Sequence, residues 1–351
     1  MKKEIKIGNK LIGDGHPCFI IAEMSGNHNM DYNRAVEIIK EAKKAGVDAI
    51  KLQTYTADTI TLKSDKEYFK TGDNTLWRGM TLYQLYEQAY TPWEWQPRLK
   101  QLADELDIIL FSSPFDITAV DFLEKMEVPA YKIASYEVND IQLIRKVAQT
   151  GKPILISTGI ASMEDIERAV CVCREAGNED VILLKCTSEY PAPYHEMNLK
   201  MIPNMKETFE SVAGLSDHSM GDEISVAAVA LGANVIEKHF TLSRADGGVD
   251  AAFSMEKEEM AELVRKVRNV EQALGKVSYE LSAGQKESKK GARSLFASKD
   301  IKAGDLFSEE NIKSVRPGIG LETRFYDEII GKRATVDINF AEPIKINNVE
   351  W

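Results

Sequence analysis

Short apolar runs alternate with amphipathic stretches over about 275 residues, and this alternation constrains the fold more than any other feature. Cys18-Phe19-Ile20-Ile21-Ala22, Ala49-Ile50-Lys51-Leu52-Gln53 and Ile108-Ile109-Leu110-Phe111 read as buried parallel strands. So do Ala130-Tyr131-Lys132-Ile133, Ile154-Leu155-Ile156-Ser157 and Val181-Ile182-Leu183-Leu184-Lys185. The runs at Val212 and Val235 bring the expected strands to eight. A helix is expected from about Asp31 to Lys44, with Ala35, Ile38, Ile39 and Ala42 on one face and Gly46 ending it. Another is expected from Pro92 to Leu106. A third has Ser162 at its N-cap, Asp165 three residues on, and Ile166, Ala169, Val170 and Cys173 facing the core. Eight strands alternating with helices over this length predict an α/β fold, the (β/α)8 TIM barrel. A doubly wound open sheet is the alternative, but no Gly-x-Gly-x-x-Gly follows the first strand.

The rhythm breaks twice. Thr54 to Thr81 is a long polar stretch, of the kind that is usually functional inside a compact domain. Its Asn74 and Trp77 are candidates to cover a ligand. After Leu274 the pattern changes. Residues 1–281 are expected to form the barrel domain, the Ser/Gly/Lys-rich stretch 282–291 a linker, and 292–351 a small β-rich domain. In the last part, Ser294-Leu295-Phe296-Ala297, Ala334-Thr335-Val336 and Ile344-Lys345-Ile346 read as short strands between turn signals.

Composition removes several classes of function. The net charge of -11 argues against a nucleic-acid surface, which needs clustered Lys and Arg. No apolar run approaches the ~18 residues that span a bilayer, and no apolar segment follows Met1-Lys2-Lys3-Glu4 as in a signal peptide. Cys18, Cys171, Cys173 and Cys186 form no Cys-x-x-Cys pair and read as reduced, buried thiols of a cytoplasmic protein.

In a barrel of this kind the chemistry sits at the C-terminal ends of the strands. Those positions carry Glu23, then Lys51 and Gln53, then Ser113 and Phe115. Lys132, Ser135 and Glu137 follow, then Ser157-Thr158-Gly159, then Lys185, Thr187, Ser188 and Tyr190. The last two strands end in Ser216-Asp217-His218 and Glu237-Lys238-His239. His218 and His239 occupy equivalent places on neighbouring units, and two imidazoles can share a first-row divalent cation. Each could equally be a satisfied polar residue at a strand end. Lys51 and Lys132 in apolar strands, with hydroxyls from Ser113, Ser135, Ser188 and Ser216, would make a cationic pocket for a phosphorylated or carboxylated ligand. Alternatively each lysine pairs with a barrel carboxylate such as Glu23 or Glu137, or serves as a Schiff-base nucleophile. From the residues alone the reading is metal-assisted carbon–carbon bond chemistry.

Gly214-Leu215-Ser216-Asp217-His218, Glu237-Lys238-His239-Phe240-Thr241, Tyr131 to Glu137 and Ser113-Pro114-Phe115-Asp116 resemble the motifs of the sialic acid synthase family. Arg293-Ser294-Leu295 and Val315-Arg316-Pro317-Gly318 resemble the antifreeze-like (SAF) domain that ends those enzymes. The resemblance covers nearly the whole chain, with the motifs in order. It implies condensation of phosphoenolpyruvate with an open-chain amino sugar aldehyde. It also implies a divalent cation, commonly Mn²⁺ with Mg²⁺ or Co²⁺ as alternatives, held by His218 and His239. Phosphoenolpyruvate would be held by Lys51, Ser113, Lys132, Ser135, Ser188 and Ser216, although Ser188 stands where sialic acid synthases commonly have Asn. Glu23 would transfer a proton or activate water. Gln53, Phe115, Glu137, Tyr190 and Asp250 match sugar-side positions. Arg316 would reach the sugar from the partner subunit of a domain-swapped homodimer.

Within the family, Ser243 to Ser254 replaces a Gly-Pro-Asp-His-type segment usual in sialic and legionaminic acid synthases. It points instead to a diacetamido-trideoxy hexose, 2,4-diacetamido-2,4,6-trideoxy-altrose, with Ala251, Ala252 and Phe253 as an apolar wall beside its C6 methyl. A sialic or legionaminic acid synthase, or a non-catalytic sugar-binding barrel, are the alternatives.

Overall fold

The computed structural model describes residues 3–72 and 76–351. Asn74, a candidate in the long polar stretch, lies outside the described residues. The chain divides into two compact units, Met1–Gly275 and Lys276–Trp351.

The first unit opens with an antiparallel hairpin, β1 (Glu4–Ile7) and β2 (Lys10–Gly13). The strands that follow are β3 (Phe19–Glu23), β4 (Ala49–Thr54), β5 (Ile109–Pro114), β6 (Tyr131–Ile133), β7 (Ile154–Ser157), β8 (Val181–Cys186), β9 (Val212–Asp217) and β10 (Val235–His239). Among the described residues, β3 to β10 form a closed barrel of eight parallel strands, with β10 returning to pair with β3. The expected (β/α)8 barrel is therefore the fold, and the open sheet is set aside. Helices α1 (Tyr32–Ala45), α2 (Ala57–Ile60), α3 (Leu82–Ala89), α4 (Gln96–Glu105), α5 (Ile117–Lys125) and α6 (Ile141–Ala148) lie between the earlier strands. Then come α7 (Met163–Glu175), α8 (Met201–Phe209), α9 (Glu223–Ala230) and α10 (Lys257–Leu274).

The local physics is visible at several ends. Asp31 caps α1 by accepting from the Asn33 amide, and the stripe of Ala35, Ile38, Ile39 and Ala42 is buried. Gly46 ends α1 at φ 85°, where its N–H reaches the Ala42 and Lys43 carbonyls and a side chain would be strained. Ser162 and Asp165 cap α7 reciprocally. All five side chains of β3 and all six of β9 are buried, as strands covered on both faces require.

Four features depart from the sequence reading. The hairpin was not legible as strands, yet its Ile5, Ile7 and Ile12 join the barrel's core. The helix expected from Pro92 begins at Gln96, with Pro97 in its first turn, and α3 precedes it as a separate helix. Cys171 is exposed, while Cys18, Cys173 and Cys186 are buried and all four are free. It lies two positions from Cys173 on α7, a spacing that puts the two on different faces. Fourth, Ala334–Val336 and Ile344–Ile346 do not form strands.

The second unit begins with α11 (Ala283–Lys289), inside the stretch expected as linker, where Ser282 caps by accepting from the Gln285 amide. Its two-stranded antiparallel sheet joins β11 (Ser294–Ala297) to β12 (Ile312–Val315), and α12 (Tyr326–Ile329) follows. The remaining pairings are single bridges, such as Ile301 with Ile338 and Ala334 with Val349. The chain there wraps a small core of Leu295, Phe307, Ile312, Ile338, Ile344 and Val349. Among the described residues of the chain, no helix is long and apolar enough to cross a membrane.

Candidate active site

Side chains alternate along a strand, so Lys51 and Gln53 share one face of β4, and Glu237 and His239 share one face of β10. The barrel register sets His239 beside Glu23, and Glu23 beside Lys51. The result is a buried charge cluster at the C-terminal ends of the strands. Lys51 Nζ lies 2.9 Å from Glu237 Oε1 and 3.2 Å from Glu23 Oε2. Lys132 Nζ lies 3.2 Å from the same Glu237 oxygen, and Ser216 Oγ donates to it at 3.2 Å. Lys51 Nζ also lies 3.4 Å from Ser113 Oγ, and Gln53 Nε2 donates to Glu23 Oε1 at 2.9 Å. The lysines thus do pair with barrel carboxylates, but the acceptor for Lys132 is Glu237 rather than Glu137.

Electrostatics separates the two carboxylates. Burial pushes Glu23 up to about 7, with Lys51 pulling down and Glu237 adding to the rise. Burial acts on Glu237 in the same sense, but Lys132 and Lys51 outweigh it and hold that carboxyl well below the usual range. Lys51 stays charged because Glu23 and Glu237 overcome its burial. For Lys132 burial wins, and its pKa falls despite Glu237.

Ser135 and Ser188 sit with Cys186 around Gly159, the residue after β7 and Thr158. The Gly159 amide donates to Ser135 Oγ at 3.2 Å. A Cβ at this position would overlap Ser188 Oγ and Ser135 Oγ and lie 3.1 Å from Cys186 Sγ. The absent side chain leaves room among these donors.

The two imidazole rings of His218 and His239 stand 5.3 Å apart, centre to centre. His218 Nδ1 is 3.0 Å from the Thr187 carbonyl. A carbonyl only accepts, so Nδ1 carries a proton; burial pulls the His218 pKa down, but Cys186 and the Thr187 carbonyl outweigh it and raise it. His239 Nδ1 is buried with no hydrogen-bond partner. Burial and the neighbouring His218 hold His239 well below its usual pKa, and therefore neutral. A neutral imidazole with an orphaned nitrogen, beside one oriented by a backbone carbonyl, suits a divalent cation, whose binding would displace any second proton on His218. Among the described residues, no cluster of three or more His, Cys, Asp or Glu side chains forms a closed ligand shell. A cation held by two His would keep positions for water and substrate.

Aromatic candidates pack against the two histidines. Tyr190 stacks 4.4 Å from His218 and 5.1 Å from Phe253, and Phe253 lies 4.9 Å from His239. Asp250 accepts from Ser25 Oγ. Phe115 meets Tyr55 edge-on at 5.1 Å. Glu137 Oε2 is buried without a partner, and burial pushes this carboxyl to about 7, with Lys132 opposing. From the long polar stretch, Trp77 Nε1 donates to the Val249 carbonyl at 2.9 Å and its ring lies 6.2 Å from Tyr190. Of the expected apolar wall, Ala251 and Phe253 are buried, but Ala252 is exposed. These three residues form a 3-10 turn, which points neighbours in different directions. Arg316 belongs to the second unit, where it is exposed after β12.

Sequence reasoning noted Glu237 and gave it no role. The signal was its place two residues before His239, which puts both on one strand face. The same alternation marks Lys238 as facing the other way.

A family model described as the NeuB family matches residues 38–279, and one for the SAF domain matches residues 292–350. A pseudaminic acid synthase of Campylobacter jejuni is 48% identical over 343 residues, covering 97% of this chain and 98% of that protein. A pseudaminic acid synthase of Helicobacter pylori is 41% identical over 335 residues, covering 95% and 98%. Among solved structures, the N-acetylneuraminic acid synthetase of Leptospira borgpetersenii, in complex with citrate, superposes with a TM-score of 0.72 at 35% identity. That match covers 82% of this chain and 95% of the other.

Proposed function

We infer the activity of this chain from the NeuB family, to which it belongs. It condenses phosphoenolpyruvate with 2,4-diacetamido-2,4,6-trideoxy-altrose and water, giving pseudaminic acid and phosphate with cleavage of a C–O bond. The observation that carries this reading is the near full-length likeness to the Campylobacter enzyme.

The site supports the chemistry residue by residue. Lys51 and Lys132 offer paired positive charge to an anionic substrate, and Ser113, Ser135, Ser188 and Ser216 offer donors around it. Gly159 keeps the space among those donors open. His218 and His239 would hold a divalent cation, with Mn²⁺ as first choice and Mg²⁺ or Co²⁺ as alternatives. When bound, such a cation supplies Lewis-acid polarisation of the sugar's aldehyde oxygen. Glu23, with its pKa near 7, can take up and release a proton at neutral pH, which suits it to the addition of water. Gln53 orients that carboxylate through its amide. Tyr190, Phe253 and Phe115 give the sugar side apolar surface, while Glu137 and Asp250 give it acceptors.

The reading extends to a cytoplasmic, domain-swapped homodimer in which the partner subunit's Arg316 completes the sugar site. Sedimentation of the purified protein tests the dimer.

Phosphate release from phosphoenolpyruvate, with and without EDTA, tests the activity against three sugars. EDTA-sensitive release only with the trideoxy-altrose sugar is expected. Release with N-acetylmannosamine or the legionaminic acid precursor instead would keep the mechanism and replace the substrate. No release with any of the three would return the chain to a sugar-binding role.

A further inference from the structure

We propose that Glu237 is the positioning residue of the anion pocket, holding Lys51 and Lys132 side by side for phosphoenolpyruvate. The proposal rests on the reading of that pocket given above. Three of the groups assigned to phosphoenolpyruvate converge on one atom: Lys51 Nζ at 2.9 Å, Lys132 Nζ at 3.2 Å and Ser216 Oγ at 3.2 Å from Glu237 Oε1. Glu237 is itself only 3% exposed, and its Oε2 has no hydrogen-bond partner.

A fixed negative charge inside a site for an anion is paradoxical on Coulomb grounds alone. Preorganisation resolves it. Two ammonium groups this close repel, and a buried lysine without a partner swings toward any acceptor it can reach. Lys51 has Glu23 as a second ion-pair partner at 3.2 Å. Among the described residues, Lys132 hydrogen-bonds to Glu237 and to no other side chain. Without Glu237, Lys132 loses its anchor and the pair loses its shared geometry. The lysines would then have to be ordered by the substrate itself, at the expense of affinity. Only one carboxylate oxygen is engaged in this, so the lysines keep further N–H donors for phosphate and carboxylate oxygens.

The two views predict opposite signs. Simple electrostatics says that neutralising Glu237 tightens binding of an anion. Preorganisation says that it weakens binding. The test is calorimetric titration of phosphoenolpyruvate, without sugar, into the Mn²⁺-saturated full-length protein. For Glu237→Gln the dissociation constant should rise at least about tenfold, with Mn²⁺ affinity close to that of the unaltered protein and the variant still folded at the temperature of the titration. Equal or tighter binding overturns the proposal. So does a loss that merely follows a fall in Mn²⁺ affinity. Should the Gln variant not fold, Glu237→Asp serves instead. It keeps the charge but draws the oxygen back by one methylene, so the same weakening is expected and unchanged binding overturns the proposal. Lys132→Met separates this inference from the one beneath it. If that variant binds phosphoenolpyruvate normally, the pocket itself is misassigned. If it loses binding while Glu237→Gln retains it, the pocket stands and only the role of Glu237 falls.

Discussion

Asp217 and Lys238 face each other across β9 and β10, with Lys238 Nζ 2.9 Å from Asp217 Oδ2, and each immediately precedes one of the paired histidines. Both are buried on the barrel's outer side, where Ser225 of α9 donates to the same carboxylate at 2.6 Å. Asp217 also accepts from the Ser219 amide at 2.8 Å, and Lys238 donates to the Ser219 carbonyl at 2.7 Å. The pair therefore grips the residues on both sides of His218 and fixes the register from which both imidazoles project.

Lys238→Met should be strongly destabilising, because it leaves the Asp217 charge buried and unpaired. The expected cost is about 3–5 kcal/mol, read from urea unfolding. Adding Asp217→Asn to that variant should recover part of the loss. A cost below about 1 kcal/mol for Lys238→Met would mean that the pair does not hold the strands in register.

Removing the cation should stop turnover without unfolding the chain. EDTA is expected to abolish phosphate release, and added Mn²⁺ to restore it. His239→Ala should abolish release and resist rescue by Mn²⁺, since only one imidazole remains. Full activity in this variant would remove the cation from the mechanism.

Gly159→Ala should act on one substrate. The new Cβ would press on Ser188 and Ser135, so KM for phosphoenolpyruvate should rise at least about tenfold while KM for the sugar changes little. Equal effects on both substrates would place Gly159 outside the anion pocket.

Glu137 should give stability a pH dependence with a definite sign. Burial raises its pKa to about 7 from the ordinary 4.5, with Lys132 opposing. Below pH 4.5 the group is protonated both folded and unfolded, so it imposes no penalty. Between pH 4.5 and 7 the unfolded chain releases the proton first, and the fold loses up to about 3 kcal/mol; above pH 7 the loss is constant. Glu137→Gln should lack this decline and gain stability over the unaltered protein at pH 8 but not at pH 4. Parallel curves of melting temperature against pH would show that the Glu137 carboxyl is not perturbed.

The barrel was legible because its strands are buried on both faces, and Phe19–Ala22 or Val181–Leu184 have no polar residue to confuse the pattern. Lys51 and Lys132 stood out against that background, as did the strand-end histidines. Glu237 was harder to recognise, because its meaning comes from Lys51 and Lys132, on strands 186 and 105 residues away in sequence. The hairpin at Glu4–Gly13 gave too short a signal, since its burial is supplied by the barrel. In the second unit, Ala334 and Ile344 are core residues of a chain that crosses itself at single bridges, and alternation over three residues cannot distinguish that from a strand. Ala252 was misplaced because a 3-10 turn does not present three successive side chains to one surface.

The contact between His218 Nδ1 and the Thr187 carbonyl has an evolutionary consequence. The acceptor belongs to the main chain, so no substitution of the Thr187 side chain deletes it. Drift at that position can proceed without altering which ring nitrogen faces the pocket, provided the path of the backbone after β8 is kept. Inheritance of the ring's orientation is tied to loop length rather than to residue identity. A one-residue insertion or deletion between Cys186 and Tyr190 would therefore do what point mutation at 187 cannot.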